Sequence, residues 1–303
     1  MDGFVVNPYN VPWDSLNADP ILKGAKIFKK EEGFQNSMRR FLKGDEGMVR
    51  EVIRQLCRRT PEDGCCNYIT SHTGFTLCDL VSYDGKHNEA NGERNQDGPD
   101  YNYSWNCGTE GPSRKRSVMT LRKNQMKNAF LLLLLSQGTP CILAGDEFGN
   151  TQDGNNNVYC QDNETAWLNW GRQKSYEDLF RFVKRLIALR KSNPVFHQRQ
   201  ALLGLDRTAC GIPDVSYHGE SAWQVQDAVS ADSLGSLCWE DTFWFVAYNM
   251  HWEAHEFALP ALKKELKWYQ VAGTEEMQDE AECLKEQKMI EVKARTIILL
   301  QGR

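Results

Sequence analysis

The sequence predicts an α/β fold: parallel βα units over residues 1–200, followed by a small all-β sandwich over residues 201–303. Three observations carry this. Short apolar runs of strand length alternate with helical patterns through the first two thirds of the chain. The texture then changes to short strand-like runs separated by turns. Finally, 303 residues with 41% hydrophobic and 25% charged side chains give globular composition and enough length for a sizeable core.

Taken in order, Phe4-Val5-Val6 and Ala25-Lys26-Ile27-Phe28 are strand candidates. Gly33 to Leu42 and Met48 to Arg58 carry helical periodicity. Cys66-Asn67-Tyr68-Ile69-Thr70 is a strand that runs into the polar turn Ser71-His72-Thr73-Gly74. Arg116 to Ser136 is a long helix containing the longest apolar run, Ala129 to Leu135, which is too short for a membrane span and predicts a helix buried on most sides. Gly138-Thr139-Pro140 breaks it, and Cys141-Ile142-Leu143-Ala144 follows as a strand. Tyr176 to Lys191 is an amphipathic helix with Leu179, Phe182, Val183, Leu186, Ile187 and Leu189 as its apolar stripe, stopped by Asn193-Pro194. Beyond residue 200, Ala222 to Val225, Phe243 to Tyr248, Glu256 to Leu259, Trp268 to Val271 and Thr296 to Leu300 are strand candidates. Residues 274–288, rich in Glu and Lys, are expected to form an exposed loop. Asp84 to Ser113 has no period and many Asn, Asp and Gly; a loop this long is usually functional or disordered, and Tyr101, Tyr103 and Trp105 argue against disorder.

The net charge of -5 and the absence of a long basic run exclude a duplex-binding surface, so no nucleic-acid partner is expected. The N-terminus, Met1-Asp2-Gly3-Phe4, has neither a basic nor an apolar leader region, and no membrane association is expected. Ten cysteines without Cys-x-x-Cys spacing are most economically reduced thiols of a cytoplasmic protein, with no metal site. No cofactor motif is present.

Five segments then carry a resemblance: His72 to Leu77 with Asp79 to Tyr83; Lys86 to Glu93; Ser104 to Gly108 with Glu110-Gly111; Gly138-Thr139-Pro140 leading to Gly145-Asp146-Glu147-Phe148-Gly149; and Gly154-Asn155-Asn156-Asn157 with Tyr159 to Asn163. In this order they resemble the stretch after the seventh barrel strand of isoamylase-type glycogen debranching enzymes, in the α-amylase superfamily. Softer similarity extends from Asp2 to about Pro260. The resemblance implies a partial (β/α)8 TIM barrel, strands four to eight, followed by a C-terminal β-sandwich. It also implies a place in the hydrolysis of α-1,6 branch points of glycogen or starch.

That chemistry needs a carboxylate nucleophile and a carboxylic acid about 5 to 5.5 Å apart, mounted at the C-terminal ends of barrel strands. None of the family's three carboxylates is recognisable. Gly3-Phe4-Val5-Val6-Asn7 matches the nucleophile motif with Asn7 for the Asp and Val5 for the Arg, and a neutral amide with a delocalised lone pair is a poor nucleophile. The general acid's strand is matched by Asp19 to Leu22 and Lys26 to Phe28, but its loop is deleted, and Lys29-Lys30 runs straight to Glu31-Glu32-Gly33-Phe34. Val11-Pro12-Trp13-Asp14 superficially matches that loop but precedes the strand. Glu31 and Glu32 are substitute acids on paper; as two charges at a helix start they have a plainer explanation. Thr73 replaces the third carboxylate, beside a retained His72.

The resemblance places His72 at the sugar site. Asn88, Asn91, Trp105, Asn106 and Asp162 are residue types suited to sugars, because amides bond hydroxyls and indole faces pack on apolar sugar faces. They equally suit tight turns. Asp146-Glu147 is expected to be structural, and Trp167 and Trp170 to be packing residues rather than sugar platforms. The sequence therefore predicts a glycogen-debranching-like protein of α-glucan metabolism, catalytically degenerate and at most glucan-binding. The alternatives are an active α-1,6-glucan hydrolase completed by a missing N-terminal part and a non-catalytic interaction or regulatory protein. An open barrel also predicts either that missing segment or self-association.

Overall fold

Helices flanking a parallel sheet and one face of an antiparallel sheet pack against one shared buried helix. The structure, a computed structural model, describes residues 4–6, 27–58, 65–198, 200–206, 213–223, 231–239, 242–263 and 265–303.

The parallel sheet has the order β1-β2-β3-β4, with β1 Phe4–Val6, β2 Ile27–Lys30, β3 Cys65–Asn67 and β4 Thr139–Pro140. It differs from the expected five strand positions. Lys29 and Lys30 of β2 pair directly with Cys65 and Cys66 of β3, so no strand lies between them. The sheet does not close into a barrel. Two helices connect β2 to β3: α1, Glu32–Lys43, and α2, Val49–Cys57. Helix α1 ends where Gly44 turns left-handed (φ 89°) and gives its N–H to the Arg40 and Phe41 carbonyls.

The expected strand Cys141–Ala144 is not formed; the pairing falls two residues earlier, on Cys66↔Thr139 and Asn67↔Pro140. Strand β3 ends at Asn67, so after one last bond from the Cys141 N–H to the Asn67 carbonyl (2.7 Å) the chain has no partner to pair with. For the same reason Tyr68, Ile69 and Thr70 are not strand: they already belong to the loop leading to the short helix α3, Leu77–Leu80.

Helix α4, Arg116–Leu134, is the centre of the molecule, with every residue from Gln125 to Leu134 buried, as its continuous apolar run predicts. Its polar members bond outward to other elements. Gln125 Nε2 donates to the Leu42 carbonyl (2.7 Å), and Asn128 Nδ2 donates to the Arg295 carbonyl (2.8 Å). A four-residue helix α5, Arg172–Ser175, precedes α6, Glu177–Ser192, which buries Leu179, Phe182, Val183 and Leu186 of the expected stripe.

The antiparallel sheet has the order β5-β6-β11-β8-β9, with β5 Ala231–Trp239, β6 Thr242–Asn249, β8 Trp268–Gly273, β9 Met277–Cys283 and β11 Thr296–Gly302. A two-stranded ribbon of β7, His255–Ala258, and β10, Met289–Val292, packs over one face of it. The two-residue period of β6 explains its unbroken apolar run. Phe243, Phe245 and Ala247 meet Phe257, Trp268 and Val292 beneath the ribbon, while Trp244, Val246 and Tyr248 face the core around α4. Within the expected exposed loop at 274–288, Met277–Cys283 instead form strand β9, paired with β8 at the sheet edge. Its Asp and Glu residues stay in solvent because an edge strand needs no apolar side chains on its open side. Of the expected strand Ala222–Val225, Ala222 and Trp223 lie in a turn, and Gln224 and Val225 lie outside the described residues. Among the described residues, no helix is long and apolar enough to cross a membrane.

Candidate functional site

The expected site residues sit on three loops that follow β3 and β4. His72 and Thr73 form the bend beyond the C-terminal end of β3, and both are exposed. The bend is held from behind. Ser71 Oγ donates to the Thr73 carbonyl (3.1 Å), and the Gly74 N–H reaches the Asn156 carbonyl (2.9 Å). Among the described residues, the His72 ring has no hydrogen-bond partner. Asn7 lies outside the described residues, as do Val11 to Asp14, Asp19 to Leu22, and Ala25 and Lys26; β1 ends one residue before Asn7.

Asn88 is fully buried, and its amide is spent within the protein. Nδ2 donates to the Asp97 carbonyl and to Asn156 Oδ1, both at 2.8 Å, and Oδ1 accepts the Asn156 N–H at 2.9 Å. Asn156 in turn donates from Nδ2 to the Pro99 carbonyl (2.8 Å) and Asn102 Oδ1 (3.0 Å). Asn91 donates to Asp97 Oδ2 (2.7 Å) and the Asn157 carbonyl (2.9 Å) and accepts from Asn155 and Gln161, each at 2.8 Å. The Asn91 and Asn157 amides hold the Asp97 carboxyl below the usual carboxylate range. Gly98 (φ 70°) lets the chain pass this cluster, since a Cβ there would lie 2.3 Å from Asn156 Oδ1. Asparagine types 64 to 68 residues apart thus stitch the first loop to the third.

Asn106 joins a second network. Its Nδ2 donates to Glu110 Oε2 (3.0 Å), and its Oδ1 accepts the Gly108 N–H (2.8 Å). Burial works to raise the Glu110 carboxyl, but bonds from the Asp84 N–H, Asn106 and His87 outweigh it and hold it low. Trp105 is half-buried, and the Arg295 guanidinium covers one ring face at 4.9 Å. Asp162 is exposed and accepts the Trp167 indole N–H (3.1 Å). Trp167 and Trp170, expected as packing residues, are 56% and 65% exposed; Trp170 alone stacks, on Phe148 with centroids 5.1 Å apart.

Two buried carboxylates brace these loops from below. Asp146 accepts the Thr70 hydroxyl and the Leu77 N–H (2.8 Å), and burial raises its carboxyl to about 7. Asp79 accepts the hydroxyls of Thr76 and Thr151 and the Gln152 N–H, and burial raises it to about 6. Both bridge the β3 loop to other segments rather than face solvent. Glu147 caps locally, accepting the Gly145 N–H (2.9 Å). Glu31 stands directly after β2, buried and ion-paired with Arg58 at 3.0 Å. Among the described residues, no group of three or more His, Cys, Asp or Glu side chains is placed to hold a metal ion.

Sequence reasoning singled out Asp79 and Gly154 to Asn157 without assigning them a role, and missed Asp97 and Arg295. Arg295 lies some 190 residues from Trp105 in the chain, and no local signal could have connected them.

No family model matches the chain. It is 41% identical over 214 residues to the glycogen operon protein GlgX homolog of Mycobacterium tuberculosis, covering 64% of this chain and 30% of that protein. It is 40% identical over 208 residues to the chloroplastic isoamylase 1 of Arabidopsis thaliana, covering 58% of this chain and 26% of that one. The chain thus spans less than a third of the length of these relatives. Among solved structures, a pullulanase from Bacillus acidopullulyticus superposes with TM-score 0.64 at 17% identity, over 92% of this chain and 31% of its own. A pullulanase from Anoxybacillus complexed with maltotetraose gives TM-score 0.61 at 18% identity, over 91% and 35%. At these identities the structural likeness shows the fold alone: an α/β part with a parallel sheet together with an antiparallel sheet. Sequence and fold together relate the chain to the isoamylase- and GlgX-type debranching enzymes, over part of their length.

Proposed function

We propose that this chain is a catalytically degenerate relative of the debranching enzymes that binds α-glucan without hydrolysing it. Its architecture is read as the strand-four-to-eight side of a (β/α)8 barrel over residues 1–200, one strand position having gone with the deleted loop. A C-terminal β-sandwich is read over residues 201–303, and the protein as cytoplasmic. The observation that carries the reading is the contrast within the site. The loops are built to hold a shape, with their asparagines bonded to one another, while the sequence is read with Asn7 and Thr73 at the positions of two reactive carboxylates. A neutral amide and a hydroxyl neither form a glycosyl ester efficiently nor offset an oxocarbenium charge.

In this reading His72, Trp105, Asn106 and Asp162 face the glucan, and Asn88 and Asn91 shape the loops beneath them. Maltotetraose in a pullulanase of the same fold supports α-glucan as the ligand class. Retarded migration in a glycogen-containing native gel, with no reducing ends released from glycogen, pullulan or amylopectin, is the expected result. Unretarded migration would instead support the interaction or regulatory protein. Release of reducing ends would support the hydrolase completed by another segment, a reading favoured by the unclosed sheet.

A further inference from the structure

A cavity of about 280 Å³ lies between the loop ending at Ser113, the first turns of α4 and the segment around α5. Its walls include Arg122, Arg172, Tyr83, Tyr176, Ser113 and Asp153. None of the expected sugar-site residues lines it.

Its charge is unusual for a buried place. Arg122 is 3% exposed and gives its Nη groups only to backbone carbonyls, at Gly111 (2.7 Å), Asn106 (3.1 Å) and Thr109. Its Nε has no acceptor. Arg172 bonds the Gly149 carbonyl, the Cys78 sulfur (3.4 Å) and the Tyr176 hydroxyl (3.3 Å). Neither guanidinium has a carboxylate in ion-pair range among the described residues. Both act on the same two groups, the Cys78 thiol and the Tyr176 phenol, so they share one neighbourhood. A buried and a half-buried guanidinium without a counter-charge are costly, because desolvation goes at least partly uncompensated. One carboxylate, Asp153, stands on the exposed side, leaving a net positive lining.

We propose that this cavity binds a phosphate monoester of a small organic molecule. Guanidiniums match tetrahedral oxyanions through paired N–H donors. The hydroxyls of Ser113 and Tyr176 add donors. The volume exceeds what a bare phosphate fills, and Met119, Met126 and the Tyr83 ring offer apolar wall for the organic part. Arg122 also holds the Asn106 and Thr109 carbonyls, so an anion on its Nε would stiffen the loop that carries Trp105 and Asn106.

The test uses the whole chain and needs no glucan, so its outcome is separate from that of glycogen binding. Thermal shift and titration calorimetry are run with inorganic phosphate, sulfate and glucose 6-phosphate against sodium chloride at matched ionic strength. Saturable stabilisation is expected, tighter for the ester than for inorganic phosphate. Ser113→Asp puts a carboxylate on the cavity wall while keeping an acceptor for the Lys115 N–H. It is expected not to lower the unliganded melting point, since it supplies a counter-charge, and to weaken anion binding at least about tenfold, as loss of a charge-assisted contact does. Arg172→Gln is expected to weaken binding likewise. Binding that Ser113→Asp leaves intact overturns the proposal, whatever Arg172→Gln does. So does an ester no tighter than inorganic phosphate, or stabilisation no greater than in chloride.

Discussion

Asn88→Ala separates loop scaffolding from sugar contact. The substitution removes three hydrogen bonds: Nδ2 to the Asp97 carbonyl, Nδ2 to Asn156 Oδ1, and the Asn156 N–H to Oδ1. The Asp97 carbonyl keeps the Lys86 ammonium at 2.9 Å, but the Asn156 N–H is left in a buried place with no acceptor. At about 0.5–1.5 kcal/mol for each bond and about 1–3 for an orphaned buried donor, and with partial relaxation, the expected loss is about 2–4 kcal/mol. For a chain of this size that is roughly 3 to 6 °C in melting temperature. The assay is a calorimetric or circular-dichroism melt with hydrogen exchange at Gly74 and His87, whose N–H groups bond the third loop. His72→Ala is the matched control. Its ring is exposed and without partners, so it is expected to move stability by less than about 0.5 kcal/mol while reducing glycogen retention. A melting change for Asn88→Ala within that same half-kilocalorie would refute the argument that this network holds the loops.

Asp146 carries a pH signature. Its folded carboxyl titrates near 7 against an ordinary 3.8, so between those values the folded state keeps a proton that the unfolded chain has lost, and stability falls as pH rises through this window. Asp146→Asn, which keeps an acceptor for the Leu77 N–H, is expected to flatten that fall in melts recorded from pH 4 to 8; an unchanged slope would contradict it. Gly44→Ala is expected to cost about 1–2 kcal/mol in denaturant unfolding, because φ is 89° there and the new Cβ would meet Arg295 Nη1 at 2.3 Å. Restoring carboxylates with Asn7→Asp and Thr73→Asp together is expected to yield no debranching in a reducing-end assay. Proton donation to the leaving oxygen is worth roughly 10² to 10⁴-fold, and in the proposed reading the acid's loop is deleted; turnover by the double variant would mean that an acid such as Glu31 is already in place.

Elements whose pattern is set by their own burial were legible in the chain. The run Phe243 to Tyr248 is a strand buried on both faces, Ala129 to Leu134 lies in a buried helix, and Asn193-Pro194 ends α6. Elements defined by a neighbour were not. Strand β9 reads as a charged loop because its partner β8 supplies the pairing and solvent takes its side chains. Strand β5, with Ser and Gly among nine residues, and the four-residue β10 have no pattern of their own. The two-residue β4 is placed entirely by where β3 stops. In the candidate site, residue types flagged as sugar-like lie on loops after β3 and β4, but type could not distinguish Asn88, whose amide is consumed internally, from His72, whose ring is not. That distinction depends on residues more than sixty positions away.

The same neighbour dependence applies to the parallel sheet. Among the described residues, strands β1 and β4 are its edges, and β2 pairs directly with β3 in a sheet that does not close. Parallel sheets occur with both faces covered, and an edge of unpaired backbone groups recruits a partner. Beside the β4 edge the structure has a groove of about 430 Å³ walled by Ile142, Ala144, Phe180, Val183 and Ile187, with Glu147 and Lys184 at its margin. An apolar surface continuous with an open strand edge is what a further βα unit, or a second copy of the chain, would cover. Expressed alone, residues 1–303 are therefore expected to self-associate, seen as a concentration-dependent mass in sedimentation. Ala144→Glu, at an exposed groove position, is expected to shift the mass toward the monomer without lowering the melting point. A monomer with one sharp, concentration-independent unfolding transition would show that the four-strand sheet is self-sufficient and needs no partner at its edges.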